Sequence, residues 1–313
     1  MIVTVTANPS LDRLVALGGP LRRGAVQRAQ DATADPGGKG VNVSRVVHAA
    51  GGDTVAVMPA DGADPLIVAL HRVGVPAIPV PAGHEVRSNI TVTEPDGTTT
   101  KLNAPGARLS AESVAAFEDA IVAAAAGASW VALCGSLPPG LPADWYARLT
   151  ARLAGGPRIA VDASGPALHA AAVRGVSLLK PNAEELGELA GVDGDELETR
   201  AAQGDPEPAR AAAAALHAST GASVLATLGG AGALLVTGDG AWFATPPPIT
   251  VRSTVGAGDS SLAGYLLAHE RGATPPERLT LAVAYGAAAA ALPGTQAPRP
   301  EGLDAARVRV RSL

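Results

Sequence analysis

The chain is short of the residues from which several common sites are built. It has one cysteine, Cys134, so it can form neither an internal disulfide nor a cysteine-based metal site. Its six histidines are scattered without metal-ligand spacing, which leaves histidine-based catalysis without support. No apolar run approaches the ~20 residues that span a bilayer. The start, Met1-Ile2-Val3-Thr4-Val5-Thr6, lacks the charged and apolar regions of a secretory signal. A cytoplasmic address and no membrane partner are expected. A net charge of −5 supplies no basic field for nucleic acid. Two nucleotide fingerprints are missing as well. There is no G-x-x-x-x-G-K-[ST], since Gly37-Gly38-Lys39-Gly40 continues with Val41, and the first strand leads to Asn8-Pro9 in place of G-x-G-x-x-G.

Lysine is scarce too: Lys39, Lys101 and Lys180 stand against 21 arginines. A guanidinium does not replace a compact, flexible ammonium that must reach a phosphate or a hydroxyl. These three are therefore candidate functional cations, although compositional drift alone would leave a similar pattern. The five asparagines, Asn8, Asn42, Asn89, Asn103 and Asn182, lie near the lysines or in short polar turns.

What is present reads as an α/β chain. With 313 residues, 47% of them hydrophobic, it can bury a large core. Short β runs alternate with longer Ala-rich helices, the pattern of βα units and a largely parallel sheet with helices on both faces. Strands are expected at 2–6, 54–58, 130–134, 159–161, 177–179, 224–227 and 233–237. Helices are expected from Ser110 to about Ala126, from Asp64, from Pro206 to Ala218 and through 262–269. Two segments, about 12–35 and 86–104, break this rhythm. In the second, 89–94 and 98–103 flank Pro95-Asp96-Gly97, a hairpin signal. Together they form a small second sheet, either a movable lid over a site or a decoration of the main sheet's edge.

The chemistry concentrates in a few runs. In Thr254-Val255-Gly256-Ala257-Gly258-Asp259-Ser260, glycines precede a helix, so backbone N–H groups and the helix dipole can converge on a phosphate. Asp259 beside that phosphate is suited to accept the proton of an attacking hydroxyl. An ordinary Gly-rich helix start with an acidic first turn fits the same letters. Gly37-Gly38-Lys39-Gly40-Val41-Asn42 reads as a tight turn feeding a helix, with Lys39 and Asn42 able to reach sugar hydroxyls. Asp12 leaves the carboxyl end of the first strand, where open α/β sheets bind ligands. It could grip neighbouring hydroxyls or close an Asx turn. Arg87 and Lys101 sit on the two arms of the hairpin. Cross-strand pairing of two cations, with Arg28 nearby, suggests an anion between them, although all three could equally be solvated surface charges. In Lys180-Pro181-Asn182-Ala183-Glu184-Glu185, Asn182 and Glu185 fit a capping box, and Glu185 could also order the waters of a magnesium ion. Gly135 to Gly140 makes a rigid loop, and Thr227 to Gly232 a glycine turn.

Six of these runs occur in an order that resembles one family. They are Asn8-Pro9-x-x-Asp12, Gly37-Gly38-Lys39-Gly40-x-Asn42-Val43, Arg87-x-Asn89, Gly135-Ser136-Leu137-Pro138-x-Gly140, Lys180-Pro181-Asn182-x-x-Glu185 and Thr254 to Ser260. The chain is similar, over nearly its whole length, to ribokinase-like carbohydrate kinases of the PfkB type, and its N-terminal wording to their hexose-phosphate branch. The resemblance implies a single kinase domain over 1–313, ATP and Mg2+ as cofactors, and a small sugar phosphate as substrate. It implies Asp259 as catalytic base and the Gly256, Ala257 and Gly258 backbone as anion hole. Asp12, Gly38, Lys39, Asn42 and Asn89 would meet the sugar, and Arg28, Arg87, Lys101 and Ser136 its phosphate. Lys180, Asn182, Thr227, Gly229, Gly232 and Gly258 would line the ATP side, and Glu185 would act on magnesium through water. Fructose 1-phosphate is the expected acceptor, with tagatose 6-phosphate or fructose 6-phosphate as alternatives. A non-catalytic sugar-phosphate sensor on the same fold is the reading from another class. The free edges of the lid imply a homodimer formed through it. An ordinary aspartate pKa near ~4 suffices for Asp259, because the proton leaves late in a loose transition state. One departure from the family pattern, Ala60-Asp61-Gly62-Ala63-Asp64, leaves the contacts of that turn open.

Overall fold

The computed structural model describes residues 1–313 and arranges its strands in two sheets. In chain order the strands are β1 (Ile2–Thr6), β2 (Ser10–Leu17), β3 (Ala29–Gly37), β4 (Thr54–Pro59), β5 (Ala77–Val80), β6 (Arg87–Thr93) and β7 (Thr99–Asn103). They continue with β8 (Trp130–Cys134), β9 (Arg158–Asp162), β10 (Leu178–Leu179), β11 (Ser223–Leu228), β12 (Gly232–Thr237), β13 (Gly240–Thr245) and β14 (Arg309–Ser312). The larger sheet runs β14-β13-β12-β11-β10-β9-β8-β1-β4-β5. Every pairing from β5 to β11 is parallel, and β12, β13 and β14 are added antiparallel.

The central strands are apolar throughout because both faces of a parallel sheet are covered. Val3, Val5, Val131 and Leu133 point to one face, where Phe117 and Ile121 of the helix Ala111–Ala125 and Trp145 and Leu149 of the helix Trp145–Arg152 pack. Ile2, Trp130 and Ala132 point to the other. There Val43 and Val47 of the helix Lys39–Ala49, Leu262 and Leu266 of the helix Ala257–Glu270, and Leu279 of the helix Pro275–Ala290 close the core. The buried hydroxyls on that face satisfy one another: Thr4 Oγ1 lies 2.8 Å from Ser44 Oγ, which lies 2.9 Å from Thr54 Oγ1, which donates to the Ile2 carbonyl.

Helix starts follow the sequence closely. Ser110 Oγ accepts from Ser113 N, Asp64 from Leu66 N, and Asn182 with Glu185 forms a reciprocal capping box, each satisfying amides that a helix start leaves without partners. The strands not anticipated are β5, β13 and β14. Two of them are sheet edges: β5 contains Pro79, and β14 alternates with exposed Arg309 and Arg311. Edge strands carry proline and charge to block further pairing, and those residues also erase the apolar signal by which a strand is recognised.

The two rhythm-breaking segments do form a separate four-stranded sheet, ordered β3-β2-β6-β7. The hairpin between β6 and β7 turns at Pro95-Asp96-Gly97, with the Asp96 carboxylate accepting from Thr98 N at 2.9 Å. Its register corrects the expected pairing of cations. Lys101 stands opposite Thr91 and Asn103 opposite Asn89. Arg87 is four residues from Thr91 on the same strand, about 13 Å away at β spacing. The turn at 60–64 has a structural role: Asp61 Oδ1 accepts from Ala82 N at 2.9 Å, and Asp64 Oδ2 accepts from Val86 N at 2.9 Å. Both carboxylates pin the segment that leads into β6.

Candidate active site

The carboxyl ends of β1, β8, β9, β10 and β11 point the same way, and the four-stranded sheet stands over them. Between the two lies a cleft of about 1100 Å3. Seventeen of the nineteen residues singled out in the sequence line it: Asp12, Gly38, Lys39, Asn42, Arg87, Asn89, Ser136, Lys180, Asn182, Glu185, Thr227, Gly229, Gly232, Gly256, Ala257, Gly258 and Asp259. The two that do not are Arg28 and Lys101, both exposed. Arg28 precedes β3. Lys101 shares the cleft-facing side of its sheet with Asn89 but lies two residues further out, about 7 Å.

One part of the cleft is built on a helix start. Gly256 holds φ 77°, a left-handed conformation open to glycine, and so turns the chain into the helix Ala257–Glu270. The first helical hydrogen bond runs from Ser260 N to the Gly256 carbonyl at 2.9 Å, which leaves the amides of Gly258 and Asp259 without helical acceptors and beside the cleft. Asp259 is buried, 6% exposed, and its Oδ2 accepts from Asn42 Nδ2 at 2.8 Å. Asn42 is brought there by the glycine turn at the start of the helix Lys39–Ala49. Gly38 holds φ 107°, and a Cβ at that position would lie 2.7 Å from Thr6 Cγ2.

Beneath these residues is a group that carries no motif, Asp162, fully buried at the carboxyl end of β9. Lys39 Nζ donates to its Oδ1 at 2.7 Å. Lys180 Nζ lies 3.1 Å from its Oδ2 but off good hydrogen-bond geometry. Lys39 Nζ also lies 3.7 Å from Glu185 Oε1, while the other Glu185 oxygen accepts from Asn182 N. Two of the three lysines of the chain therefore converge on one carboxylate, and both line the cleft. The only sequence signal for Asp162 is an acid closing the buried strand Ile159-Ala160-Val161, at a sheet end where ligands bind.

These charges set the proton affinities. Burial favours the neutral acid at Asp162, yet Lys180 and Lys39 hold its carboxyl below the usual carboxylate range. Burial works against the Lys39 ammonium, but Asp162 and Glu185 outweigh it and keep the group protonated. At Asp259 burial and then the Asp162 charge push the pKa up to about 6, against the opposing effect of Asn42, Lys39 and Lys180. An ordinary value would have sufficed for that role, and the raised one is not legible in the sequence, because neither burial nor the neighbouring acid is visible in the run 254–260.

The part of the cleft next to the four-stranded sheet is a polar frame. Asp12 Oδ1 accepts from Ser10 Oγ at 2.8 Å and from Asn89 Nδ2 at 3.0 Å, while β2 and β6 hold Asp12 opposite Asn89. Arg87 spends its Nη1 on the Ala104 carbonyl at 2.7 Å and its Nη2 on the Asn8 carbonyl at 3.2 Å, leaving Nε as a buried donor without a partner. Asn89 Oδ1 is likewise buried and unpartnered. Asn8 Nδ2 donates to Ser136 Oγ at 3.3 Å and so steadies the 135–140 loop. At the opposite end the wall becomes apolar, formed by Pro246, Pro247, Pro248, Ile249, Val283 and Ala287. These residues read as ordinary loop and Ala-rich helix in the sequence, and only the fold assembles them.

A cleft with a polar frame, an apolar stretch of wall and a buried carboxylate at a helix start suits transfer of a charged group between two ligands. The sequence pattern of the pfkB family carbohydrate kinases matches residues 7–302. The chain is 36% identical to a 1-phosphofructokinase of Rhodobacter capsulatus over 97% of its own length and 95% of that protein's. It is 33% identical to an ATP-dependent 6-phosphofructokinase isozyme 2 of Escherichia coli over 94% of each chain. The solved structure of phosphofructokinase-2 from Escherichia coli in complex with substrates and products superposes with a TM-score of 0.86 at 32% identity, covering 96% of both chains. The chain belongs to the pfkB family of carbohydrate kinases, phosphotransferases on a ribokinase-like α/β fold.

Proposed function

We propose that the protein is a single-domain kinase that transfers the γ-phosphoryl group of ATP to a primary hydroxyl of a hexose phosphate, with fructose 1-phosphate as the favoured acceptor and fructose 1,6-bisphosphate as product. The observation that carries this reading is the buried Asp259 at a helix start with free amides facing a cleft whose other wall holds hydroxyl-binding groups. In the reaction the acceptor oxygen bonds to the γ-phosphorus as the bond to the leaving ADP oxygen breaks, and the acceptor's proton goes to Asp259 Oδ. With a pKa of about 6, Asp259 is mostly ionised at neutral pH and accepts that proton without rearrangement. The Gly258 and Asp259 amides take up charge on the transferring oxygens, and Lys180, whose Nζ lies 3.3 Å from the position of a Cβ on Gly258, adds a cation at the same place.

Asp12 and Asn89 are suited to neighbouring sugar hydroxyls, and Arg87 Nε with Ser136 to the phosphate already on the sugar. Lys180, Asn182, Thr227, Gly229 and Gly232 face the nucleotide end, where the proline-rich wall fits a base. The residues also fit a magnesium ion held loosely. Glu185 lines the cleft with its Oε1 3.7 Å from Lys39 Nζ, and its carboxylate would hold such an ion through water. When bound, such an ion would neutralise charge on the phosphates of the nucleotide. The four-stranded sheet acts as a lid that excludes water while the sugar is held. The cytoplasm fits this chemistry.

Fructose 6-phosphate is the second reading, supported by the likeness to phosphofructokinase-2 from Escherichia coli in complex with fructose-6-phosphate, with a TM-score of 0.83 at 32% identity. Purified protein incubated with Mg-ATP and, separately, fructose 1-phosphate, tagatose 6-phosphate and fructose 6-phosphate decides between them by ADP release. The highest kcat/KM is expected for fructose 1-phosphate. A preference for either 6-phosphate would replace the favoured acceptor, and ATP hydrolysis indifferent to all three would remove the kinase assignment.

A further inference from the structure

One buried charge has no part in the chemistry above. Arg45 lies on the helix Lys39–Ala49, one turn beyond Asn42, and is 8% exposed with no carboxylate within ion-pair distance. A guanidinium that is desolvated and unpaired costs stability unless its donors are well used. Its Nη1 reaches three oxygens from three segments: the Pro36 carbonyl at 3.1 Å, Thr295 Oγ1 at 3.4 Å and Asn42 Oδ1 at 3.5 Å. Pro36 lies at the root of β3, paired with Leu11 beside Asp12. Asn42 is the residue whose Nδ2 donates to Asp259.

We infer that Arg45 is a positioning residue for the phosphoryl transfer: it fixes the Asn42 amide so that the NH2 group faces Asp259, and it ties that amide to the root of the four-stranded sheet. An amide has one accepting and one donating end. With a cation on the Asn42 oxygen the donating end must face the carboxylate; without it the amide can turn its oxygen toward Asp259, which is repulsive. The charged groups facing Asp259 are Asp162 at the end of β9, Lys39 at the helix start and Lys180 after β10, and those facing Arg45 are Asp35 and Asp12 of the smaller sheet. None of these orients Asn42. The Pro36 bond makes the same guanidinium sensitive to where the sheet stands over the cleft.

The inference rests on Asp259 as base, so the test reads Asp259 directly. The Asp259 carboxyl is titrated by carbon-13 NMR in the wild type, Arg45→Met and Arg45→Lys, with kcat and KM profiles against pH for fructose 1-phosphate and Mg-ATP. In Arg45→Met the Asp259 titration and the acid limb of kcat are expected to move up together by about one pH unit. At pH 6 that shift is expected to lower kcat roughly fivefold, and at pH 7 roughly twofold, with KM within about twofold. Arg45→Lys, which keeps the charge without the fork, should lie between, and it carries the measurement if Arg45→Met does not fold. In an Asn42→Ala background Arg45→Met should change neither titration nor kcat further. An Asp259 titration unmoved in both Arg45 variants, or an equal loss in the Asn42→Ala background, would overturn the inference. Normal turnover in Asp259→Asn would instead remove the base on which it rests.

Discussion

Asp259 is pulled in two directions by its neighbours. Burial and Asp162 raise its pKa to about 6, while the Asn42 amide and two lysines favour the carboxylate. With the ionised form as the proposed base, kcat is expected to be level above pH 7 and to fall as pH drops through about 6. Removing one neighbour tests the assignment. In Asp162→Asn the acid that raises the pKa is gone and the lysines are no longer neutralised, so the acid limb should move below 6; a pH profile of kcat in phosphate-free buffer reads it. An acid limb that stays put or rises would mean that Asp162 does not act on Asp259. The same variant strands the nearly buried Lys180, so a stability loss of about 3–5 kcal/mol in a urea melt is expected.

At this scale the motif residues were legible and their partners were not. Asp259, Asn42, Lys39 and Lys180 stand out in the sequence through glycine-flanked runs and the rarity of lysine. Asp162 does not, because its importance comes from cations brought to it by folding, Lys39 being 123 residues away. The pKa of Asp259 was hidden for the same reason.

At the scale of elements, chain turns do the positioning. The start of the helix Ala257–Glu270 depends on Gly256 at φ 77°. An alanine there costs about 1–2 kcal/mol of backbone strain or displaces the turn, and the amides with it. Gly256→Ala is expected to lower Tm by a few degrees and to lower kcat about tenfold or more, checked by thermal melts and initial rates. Unchanged kcat with a lower Tm would separate the turn from the chemistry. Helix starts were legible here because a cap is a local contract: Asn182 with Glu185, Ser110 and Asp64 each reach amides two or three residues away. The edge strands β5 and β14 were illegible because proline and arginine serve to prevent association and leave too little apolar signal. The hairpin was read correctly as a hairpin, but its register was not, and the register is what sends Lys101 past the cleft instead of beside Arg87.

At the scale of the whole molecule, the α/β alternation announced the parallel sheet and its two helical layers, since each apolar strand must be covered on both faces. The apolar part of the cleft wall had no such signal. It draws on the loop after β13 and on the helix Pro275–Ala290, and an Ala-rich helix looks the same whether it packs on a core or on a ligand. The smaller sheet ends in two open edges, β3 and β7, and carries Leu102 at 58% exposure, with Leu21 at 42% in the loop between β2 and β3. A second copy of the sheet would cover both, so light scattering at micromolar concentration is expected to give the mass of a homodimer. A monomer under those conditions would leave the edges unexplained.

In the proposed reaction a proton moves from a sugar hydroxyl to Asp259. Single-turnover transfer from Mg-ATP to fructose 1-phosphate, measured for the wild type and Asp259→Asn beside equilibrium binding of both ligands, tests it most directly. Asparagine keeps the shape and the Asn42 neighbourhood but cannot take the proton, so the transfer rate should fall about 10²- to 10⁴-fold with both affinities within a few-fold of wild type. A transfer rate close to wild type would contradict the account, and Asp259 would not be the base.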